Sequence, residues 1–230
     1  MTEKPRLVVL TGAGVSAESG ISTFRDSGGL WDNYPVMDVA SADGFARNPA
    51  LVHRFYNMRR RELLEVEPNS AHRSIAELER WYRVTVITQN VDNLHERAGS
   101  SDVVHLHGEL MKVRSMRHPG RVYDLDADNL DTSPESRDRY GDPVRPHIVF
   151  FQEPVPEIER AAAIVEEADV VVVIGTSMVV YPAAGLINYA RRGVPVYYID
   201  PNPAPVPDRI TVIKAKATEG MECLVKMFRH

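Results

Sequence analysis

Two short segments of the chain carry residue types suited to binding a nucleotide. The first, GAGVSAESGISTFR (12–25), follows one apolar run, and the second, TQNVDNLHERAG (88–99), begins where another ends. Glycines after a strand let the backbone approach a phosphate, and the N-terminus of a following helix attracts its negative charge. Gln89, Asn90 and Asp92 come where the second run ends, so their side chains are expected to face the sugar and base. The pattern predicts a nucleotide site over strand ends.

The glycine pattern alone is a weak signal. Gly12, Gly14 and Ala17 match G-x-G-x-x-A, which is typical of dinucleotide-binding turns. In a dehydrogenase-type fold, a second strand would follow and end in an acidic residue about 20 positions on, which holds the ribose. This chain has FRDSGGLWDNYP (24–35) there, with two glycines, a proline and no apolar run. The dinucleotide is therefore expected to bind in another way, which disfavours hydride transfer.

A histidine near the end of a third apolar run is the candidate general base. His107 closes the alternating run 103–107 and precedes Gly108. With an ordinary pKa of about 6.5, an imidazole beside a nucleotide accepts a proton near neutrality. By strand periodicity His105 points the same way, so a metal pair with His107 is an alternative. No further ligand has suitable spacing, which disfavours that alternative.

The fold class follows from short apolar runs separated by helical patterns. Runs of this kind fit strands buried on both faces of a parallel sheet covered by helices, and they predict a doubly wound α/β fold. The predicted strands are 7–10, 84–88, 103–107, 147–151, 170–175, 195–199 and 210–213. Two stretches interrupt the alternation: 30–70, which has a helical pattern, and 112–146, which is predicted to be loop. Both are candidates for an inserted small domain.

One helix of the first stretch has clear start signals. Asn48 is the predicted N-cap and Pro49 the first helical residue. Four residues then recur on one face: Val52, Tyr56, Arg59 and Leu63. Arg59 could reach water or pair with a nearby carboxylate, or it could form an anion-binding fork beside the Tyr56 phenol. Arg60 and Arg61 are interpreted as solvated charges.

Composition restricts the functional class further. The chain has 230 residues and a net charge of -5, which disfavours a nucleic-acid-binding surface. Residues 124–142 contain seven acidic residues and two arginines and are predicted to be a solvated loop; calcium binding is disfavoured because the EF-hand spacing is missing. Cys223 is the single cysteine, which excludes an internal disulfide and a multi-cysteine zinc site. Neither a signal peptide nor a membrane-spanning run is present, so a cytoplasmic location is expected.

Six motifs together resemble the sirtuins, the NAD-dependent protein lysine deacylases. They are GAGVSAESGISTFRD, TQNVDNLHERAG, HLHGEL, RPHIVFF, GTSMVVYPAAGL and KATEG, in the family's order and over nearly the whole chain. The resemblance implies one catalytic unit, 1–230. A Rossmann-like large domain would span about 1–30, 71–111 and 147–230, and a small domain about 31–70 and 112–146. NAD and an acyl-lysine protein or peptide would enter the cleft between the domains from opposite sides.

The resemblance also implies roles for individual residues. His107 would be the catalytic base and Asn90 would assist catalysis. The implied cofactor-binding residues are Gly12, Ala13, Gly14, Ser16, Ala17, Thr23, Phe24, Arg25, Gln89, Asn90, Asp92, Gly175, Thr176, Ser177, Asp200 and Ala217. The implied substrate-binding residues are Ala40, Tyr56, Arg59, Val149 and Phe151.

A subclass of the family is also indicated. FYNMRR resembles the sirtuins in which a tyrosine and an arginine three positions apart line the acyl pocket, which suits succinyl- and malonyl-lysine. Ala40 falls where those enzymes keep a small residue. Deacetylation is expected as well, because a neutral acetyl group can still enter. The resemblance favours the anion-fork interpretation of Arg59.

Several positions depart from the family pattern. Ser115 stands where most sirtuins have the first of four zinc-binding cysteines, and no cysteine follows in 112–146, so no zinc is expected. Gln152 replaces a usual glycine, which costs energy if that position needs a positive φ. Asp200 stands in place of an asparagine that often contacts the adenosine ribose, and Ser22 in place of a common proline.

The implied chemistry releases nicotinamide as the acyl oxygen attacks the ribose. His107 then takes a proton from a ribose hydroxyl, and water releases lysine and O-acyl-ADP-ribose. Two alternatives stay open: an NAD-binding sensor or NAD hydrolase, and a protein ADP-ribosyltransferase. No nucleic-acid or membrane partner is expected, and the sequence does not determine the oligomeric state.

Overall fold

The structure is a computed structural model of the chain and describes residues 3–21, 30–31, 33–126, 128–176 and 181–228. Its strands, in chain order, are β1 (Arg6–Thr11), β2 (Leu30–Trp31), β3 (Tyr34–Pro35), β4 (Arg83–Thr88), β5 (Val103–His105), β6 (Gly108–Ser115), β7 (Val122–Asp124), β8 (Val144–Ile148), β9 (Val170–Ile174), β10 (Val196–Ile199) and β11 (Ile210–Ile213). Its α-helices are α1 (Gly14–Ala17), α2 (Val36–Val39), α3 (Ala42–Arg47), α4 (Pro49–Glu65), α5 (Ser70–Glu77), α6 (Leu94–Arg97), α7 (Ile158–Glu166) and α8 (Ala217–Phe228). Two 3-10 helices span Leu78–Arg80 and Ala183–Tyr189.

Six strands form a parallel sheet in the order β11-β10-β9-β1-β4-β5. In the centre, Val8 of β1 is in register with Thr85 of β4 on one side and with Val171 of β9 on the other. The chain leaves β1 toward β4 and later returns to β9 on the opposite side. A ligand crevice in such a sheet lies where the strand order reverses, outside the carboxyl ends of the strands. Here that point lies beyond the ends of β1 and β9.

Both faces of this sheet are buried, as the apolar runs predict. Along β1, Leu7 and Val9 pack on one face together with Ile75 of α5 and Leu224 of α8. Val8 and Leu10 pack on the other face, in a cluster that includes Ala161 and Val165 of α7. Strand side chains alternate between faces, so a run that is apolar throughout satisfies both cores. The predicted α/β fold with helices on both faces is confirmed.

The stretch 112–146 was predicted to be loop, and that prediction is wrong. Strands β6, β7 and β8 form a three-stranded antiparallel sheet in the order β7-β6-β8. The predicted strand at 147–151 is also misplaced, because β8 ends at Ile148 and pairs antiparallel with β6 rather than joining the parallel sheet. Buried and partly exposed residues alternate along only part of β6, and charged residues interrupt the alternation. The sequence pattern is therefore too weak to predict this strand.

Helix α4 begins as predicted. The Asn48 side chain accepts a hydrogen bond from the Leu51 amide, and Pro49 is the first helical residue. All four residues of the predicted face are buried. This face packs with Phe150 and Ile148 in a third apolar cluster, apart from the two cores of the large sheet.

Arg60 corrects the prediction that both arginines after Arg59 are solvated. Its side chain is fully buried, with Nε donating to the Leu110 carbonyl at 2.9 Å and Nη1 to Asn57 Oδ1 at 2.7 Å. Burial lowers the pKa of Arg60 to about 10. Arg61 is exposed and pairs with Asp131. Nη1 also donates to the Leu130 carbonyl at 3.1 Å, so Arg60 fastens α4 to β6 and to the segment after β7.

None of the helices in the described part of the chain is long and apolar enough to cross a membrane. The assignment of the chain to a large and a small domain stays a prediction.

Candidate functional site

Two glycine turns meet at the point where the strand order reverses. The Gly14 amide donates to the Gly175 carbonyl at 2.8 Å, and the Gly12 amide donates to the Ile174 carbonyl at 3.0 Å. A Cβ added to Gly14 would lie 2.6 Å from Gly175 Cα, and one added to Gly12 would lie 2.8 Å from the Gly175 oxygen. Side chains at either position would clash with backbone. The glycines are therefore required by the contact between the two turns.

The polar residues after β4 form a buried hydrogen-bonded network with the first turn. Asn90 Nδ2 donates to the Gly12 carbonyl and to Ser16 Oγ, both at 3.2 Å. Ser16 Oγ in turn donates to Asp92 Oδ2 at 3.0 Å. Burial raises the pKa of the Asp92 carboxyl, against the opposing effect of hydrogen bonds from Leu94 and Ser16. The network fixes Asn90 and Asp92 against the glycine turn.

Gln89 connects three elements at this site. Its amide donates to the Thr11 carbonyl at 2.9 Å, and its side-chain Nε2 donates to Thr176 Oγ1 at 3.1 Å. Its carbonyl accepts a hydrogen bond from His107 Nδ1 at 3.0 Å. Gln89 therefore links the ends of β1, β4 and β9 to the candidate base.

The hydrogen bond from His107 determines which ring nitrogen can accept a proton. A carbonyl oxygen only accepts, so Nδ1 carries the hydrogen and Nε2 of the neutral ring is left as the acceptor. Burial lowers the pKa of His107, and the bond to Gln89 opposes that effect only in part. The ring is therefore neutral at physiological pH, as a general base must be.

The two ring nitrogens of His105 contact a carbonyl and a carboxylate. Its Nδ1 lies 3.0 Å from the Asn90 carbonyl and its Nε2 lies 2.7 Å from Glu96 Oε1. Among the described residues, the one group that could hold a metal by proximity is Glu96, His105 and Glu109, which does not include His107.

Two of the predicted acyl-binding residues, Tyr56 and Arg59, lie on helix α4. Arg59 is buried, its Nη1 lies 2.9 Å from Glu62 Oε2, and its guanidinium lies 5.2 Å from the centre of the Trp31 ring. The Tyr56 hydroxyl is fully buried, and no hydrogen-bond partner for it occurs in the described part of the chain. Burial raises the pKa of Tyr56, so the phenol stays protonated and can donate. An unsatisfied donor beside a guanidinium suits an anionic group.

Gln152 meets the condition under which a residue other than glycine costs energy, because its φ is positive. Its φ is 77°, a left-handed conformation that costs a non-glycine residue roughly 1 to 2 kcal/mol. The side chain offsets part of this cost, because Nε2 donates to Asp43 Oδ2 at 2.8 Å and Oε1 accepts from the Asp43 amide at 3.2 Å. The preceding Phe151 pairs through its backbone with Ala40 and Ala42. Phe151 and Gln152 are therefore fastened to the start of α3 and to the C-cap residue of α2.

One cavity of about 900 Å³ joins the two sides of the site. The predicted residues that line it are Gly12, Ala13, Ser16, Ala40, Tyr56, Arg59, Gln89, Asn90, Asp92, His107, Val149, Phe151 and Thr176. The structure thus brings the candidate base, the nucleotide motifs and the acyl residues together. Glu62 also lines the cavity and was missed, although its position three residues after Arg59 is a detectable signal for an ion pair.

Five other predicted residues are not among the described residues that line the cavity. Gly14 and Ala17 are the first and last residues of α1, Gly175 follows β9, and Ala217 begins α8 within the core of the large sheet. Asp200 is buried after β10, and its Oδ1 accepts from the Asn202 amide at 2.8 Å. Thr23, Phe24, Arg25 and Ser177, together with Ser22, lie outside the described residues.

The region where most sirtuins bind zinc is held together by hydrogen bonds and ion pairs. Ser115 Oγ accepts from the amides of Arg117 and His118 and donates to Asp142 Oδ2 at 3.4 Å. Asp142 is buried and pairs with the guanidinium groups of Arg117 and Arg121. Two guanidinium groups around one carboxylate do not fit a cation site, and no group of three potential metal ligands occurs among the described residues of 112–146.

Comparisons with known proteins identify the family of the chain. The Sir2 family profile matches residues 12–182. An NAD-dependent protein deacylase of Bacteroides thetaiotaomicron is 56% identical over 226 residues, covering 96% of this chain and 97% of that relative. One of Helicobacter pylori is 49% identical over 221 residues, covering 95% of this chain and 93% of the relative. The chain belongs to the Sir2 family.

Solved structures agree with the family assignment. A Sir2 homologue in complex with NAD has a TM-score of 0.86 and 41% identity, covering 99% of this chain and 90% of the other. A Sir2 protein bound to an acetylated peptide has a TM-score of 0.81 and 30% identity, covering 99% and 94%.

Proposed function

We propose that the protein is an NAD-dependent protein-lysine deacylase that acts on succinyl- and malonyl-lysine and also on acetyl-lysine. The observation that carries the acidic-acyl preference is the pair of Tyr56 and Arg59 in the cavity that also contains His107. The buried phenol donor and the guanidinium provide charge-assisted hydrogen bonds to a carboxylate. Ala40, a small residue, lines the same cavity and leaves room for the longer acyl chain.

The residues present fit NAD. A cavity of about 900 Å³ lies outside the carboxyl ends of β1 and β9, and Gly12, Ala13 and Thr176 line it there. Gln89, Asn90 and Asp92 present polar groups to the same cavity. NAD supplies an activated ribose carbon with nicotinamide as leaving group. The cofactor-binding roles of Gly14, Ala17, Gly175, Asp200 and Ala217 stay predictions.

The chain's own residues perform three tasks in this account. Asn90, held by Gly12 and Ser16, orients the sugar side of the substrate. His107 Nε2, made an acceptor by the Nδ1 bond to Gln89, removes a proton from a hydroxyl of the reacting sugar. Tyr56 and Arg59 hold the far end of the acyl group and so position the reacting carbonyl.

Mass spectrometry of matched peptides tests this function. Peptides of one sequence carrying acetyl-, malonyl- or succinyl-lysine are incubated with the protein, with and without NAD. We expect loss of each acyl group only with NAD, fastest for the acidic groups, together with nicotinamide and O-acyl-ADP-ribose. Nicotinamide release without peptide would instead indicate an NAD hydrolase or sensor. A mass gain on a target protein would indicate an ADP-ribosyltransferase.

Activity without zinc and a cytoplasmic location also stay predictions. The arrangement of Ser115 and Asp142 supports the first of them.

A further inference from the structure

His105 lies outside the cavity but contacts the backbone of a residue that lines it. Its Nδ1 is 3.0 Å from the Asn90 carbonyl and its Nε2 is 2.7 Å from Glu96 Oε1. Only 7% of the side chain is exposed. A carbonyl and a carboxylate both accept hydrogen bonds, so each ring nitrogen faces an acceptor. The geometry suits a ring protonated on both nitrogens.

His105 and His107 donate hydrogen bonds to the carbonyls of two consecutive residues. His107 Nδ1 donates to Gln89 and His105 Nδ1 donates to Asn90. The first bond leaves a neutral ring with an acceptor nitrogen, and the second belongs to a ring that can be charged. Two histidines, at the end of β5 and two residues later, therefore hold the backbone of Gln89 and Asn90. His107 does so as a neutral base, and His105 as a cation.

The charged groups around His105 favour the imidazolium. Burial would lower the pKa of His105, but the hydrogen bond and charge of Glu96, with a further contribution from Glu109, outweigh burial and raise it. Lys112 pairs with Glu109 at 2.8 Å and reduces the influence of that carboxylate. Two further titratable groups interact with the ring, the buried Asp92 and the buried His95.

We propose that His105 is a positioning residue for the deacylation reaction. As an imidazolium clamped between Glu96 and the Asn90 carbonyl, it fixes the backbone of Asn90 on the nucleotide side of the cavity. Asn90 then needs no rearrangement when the sugar binds. This inference rests on the proposed deacylase function, but it does not depend on which acyl group is preferred.

A consequence is that activity has an optimum set by two histidines of one segment. His107 must lose its proton, so activity rises with pH through the lowered pKa of His107. His105 must keep its proton, so activity falls as pH passes the raised pKa of His105. A bell-shaped profile of kcat/KM results.

The test compares pH profiles of wild type, Glu96→Gln and His105→Gln. Glu96→Gln removes the charge that holds the proton on His105, so the alkaline limb should move to lower pH by about one unit or more while the acidic limb stays in place. His105→Gln should abolish that limb and lower kcat roughly 10- to 100-fold, as expected for a lost charge-assisted hydrogen bond. Glu67→Gln is the control, since Glu67 pairs with Arg97 of the same helix and is 76% exposed.

A second measurement reads the ring directly. Proton–nitrogen NMR correlations of the histidine rings, with His105 assigned by its loss in His105→Gln, should show an imidazolium at pH 7.5 in wild type. In Glu96→Gln the ring should lose its proton at lower pH. A neutral His105 ring at pH 7.5, or an alkaline limb identical in wild type and Glu96→Gln, overturns the inference. If the wild-type protein consumes no NAD, the proposed function is wrong. The NMR result still tests whether His105 is an imidazolium held by Glu96.

Discussion

His107 Nδ1 donates to the Gln89 carbonyl at 3.0 Å, and this bond makes Nε2 the proton acceptor. The same Gln89 bonds Thr176 through its side chain, so the base is connected to both strand ends that border the crevice. A rotated or tautomerised ring would lose this bond. The orientation of the base is thus built into the backbone after β4.

The first prediction concerns His107 itself. Replacement of His107 by alanine should lower kcat roughly 10²- to 10⁴-fold, the usual effect of losing a general base, while the melting temperature changes little. His118→Ala is a matched control, because the His118 side chain is 55% exposed and lies outside the cavity lining. Deacylation of His107→Ala within threefold of wild type would show that another group is the base.

The second prediction concerns the region without cysteines. Asp142→Ala leaves the buried Ser115 hydroxyl without its acceptor and unpairs two arginines, which should lower the free energy of unfolding by roughly 1 to 3 kcal/mol. A chelator should change neither the melting temperature nor the rate of the wild-type protein. Stoichiometric zinc in the purified protein, lost together with stability, would contradict this account.

The third prediction is a loss of stability in acid. His53, His72 and His95 are buried, and burial lowers the pKa of each, to about 4 for His53 and His72. Each folded pKa lies below the unfolded value of 6.5, so the unfolded state binds more protons between them and stability falls as pH drops through that window. The cost is on the order of 3 kcal/mol for His53 at the low end.

Urea unfolding at several pH values between 7.5 and 4.5 measures this effect. His53→Gln should be less stable at pH 7.5, since His53 Nδ1 bonds Thr132 Oγ1 at 2.8 Å, but its stability should depend less steeply on pH than that of wild type. Equal slopes for the two proteins would mean that His53 does not resist protonation.

The sequence predicted the parts of the fold that rest on local signals. Asn48 and Pro49 mark the start of α4 by side-chain capping and a fixed φ, both of which are local properties. Apolar runs located the six strands of the parallel sheet because most of their side chains are buried, on one face of the sheet or the other. Gln152 was expected to cost energy only if its position needs a positive φ, and the structure gives it a φ of 77°.

The wrong predictions, for Arg60 and for the stretch 112–146, have a common physical origin. In both, the structure depends on contacts with residues distant in sequence. Arg60 is buried because Leu110 and Leu130 supply carbonyl acceptors from 50 and 70 residues away. The sheet of β6, β7 and β8 depends on pairing across loops, and its exposed charged residues hide the alternation. The ion pair of Arg59 with Glu62 is local in sequence. Its place in the site depends on the cavity that both residues line, which the sequence does not show.

The fourth prediction concerns Glu62. Its carboxylate lies 2.9 Å from Arg59 Nη1 and is 48% exposed, so it competes with an acyl carboxylate for the guanidinium. A partly exposed ion pair of this kind contributes about 0 to 1 kcal/mol. Glu62→Gln should therefore raise kcat/KM for succinyl-lysine by up to about fivefold and leave acetyl-lysine nearly unchanged. A fall in desuccinylation would instead mean that Glu62 orients Arg59 for the substrate.

The central claim is that Arg59 selects the acyl group. A charge-assisted hydrogen bond contributes on the order of 1.5 to 3 kcal/mol, or roughly 10- to 150-fold in kcat/KM if it persists in the transition state. Acetyl-lysine makes no such contact. Tyr56→Phe should act in the same direction but more weakly. Arg61→Met is the matched control, because Arg61 lies on the same helix, is exposed and pairs with Asp131.

The most direct measurement is kcat/KM of Arg59→Met for succinyl and acetyl peptides of one sequence, at saturating NAD. The account predicts that desuccinylation falls at least tenfold, that deacetylation changes less than threefold, and that Arg61→Met behaves as wild type. An equal loss of both activities in Arg59→Met would contradict the account and make Arg59, with its contacts to Glu62 and Trp31, a structural residue of α4.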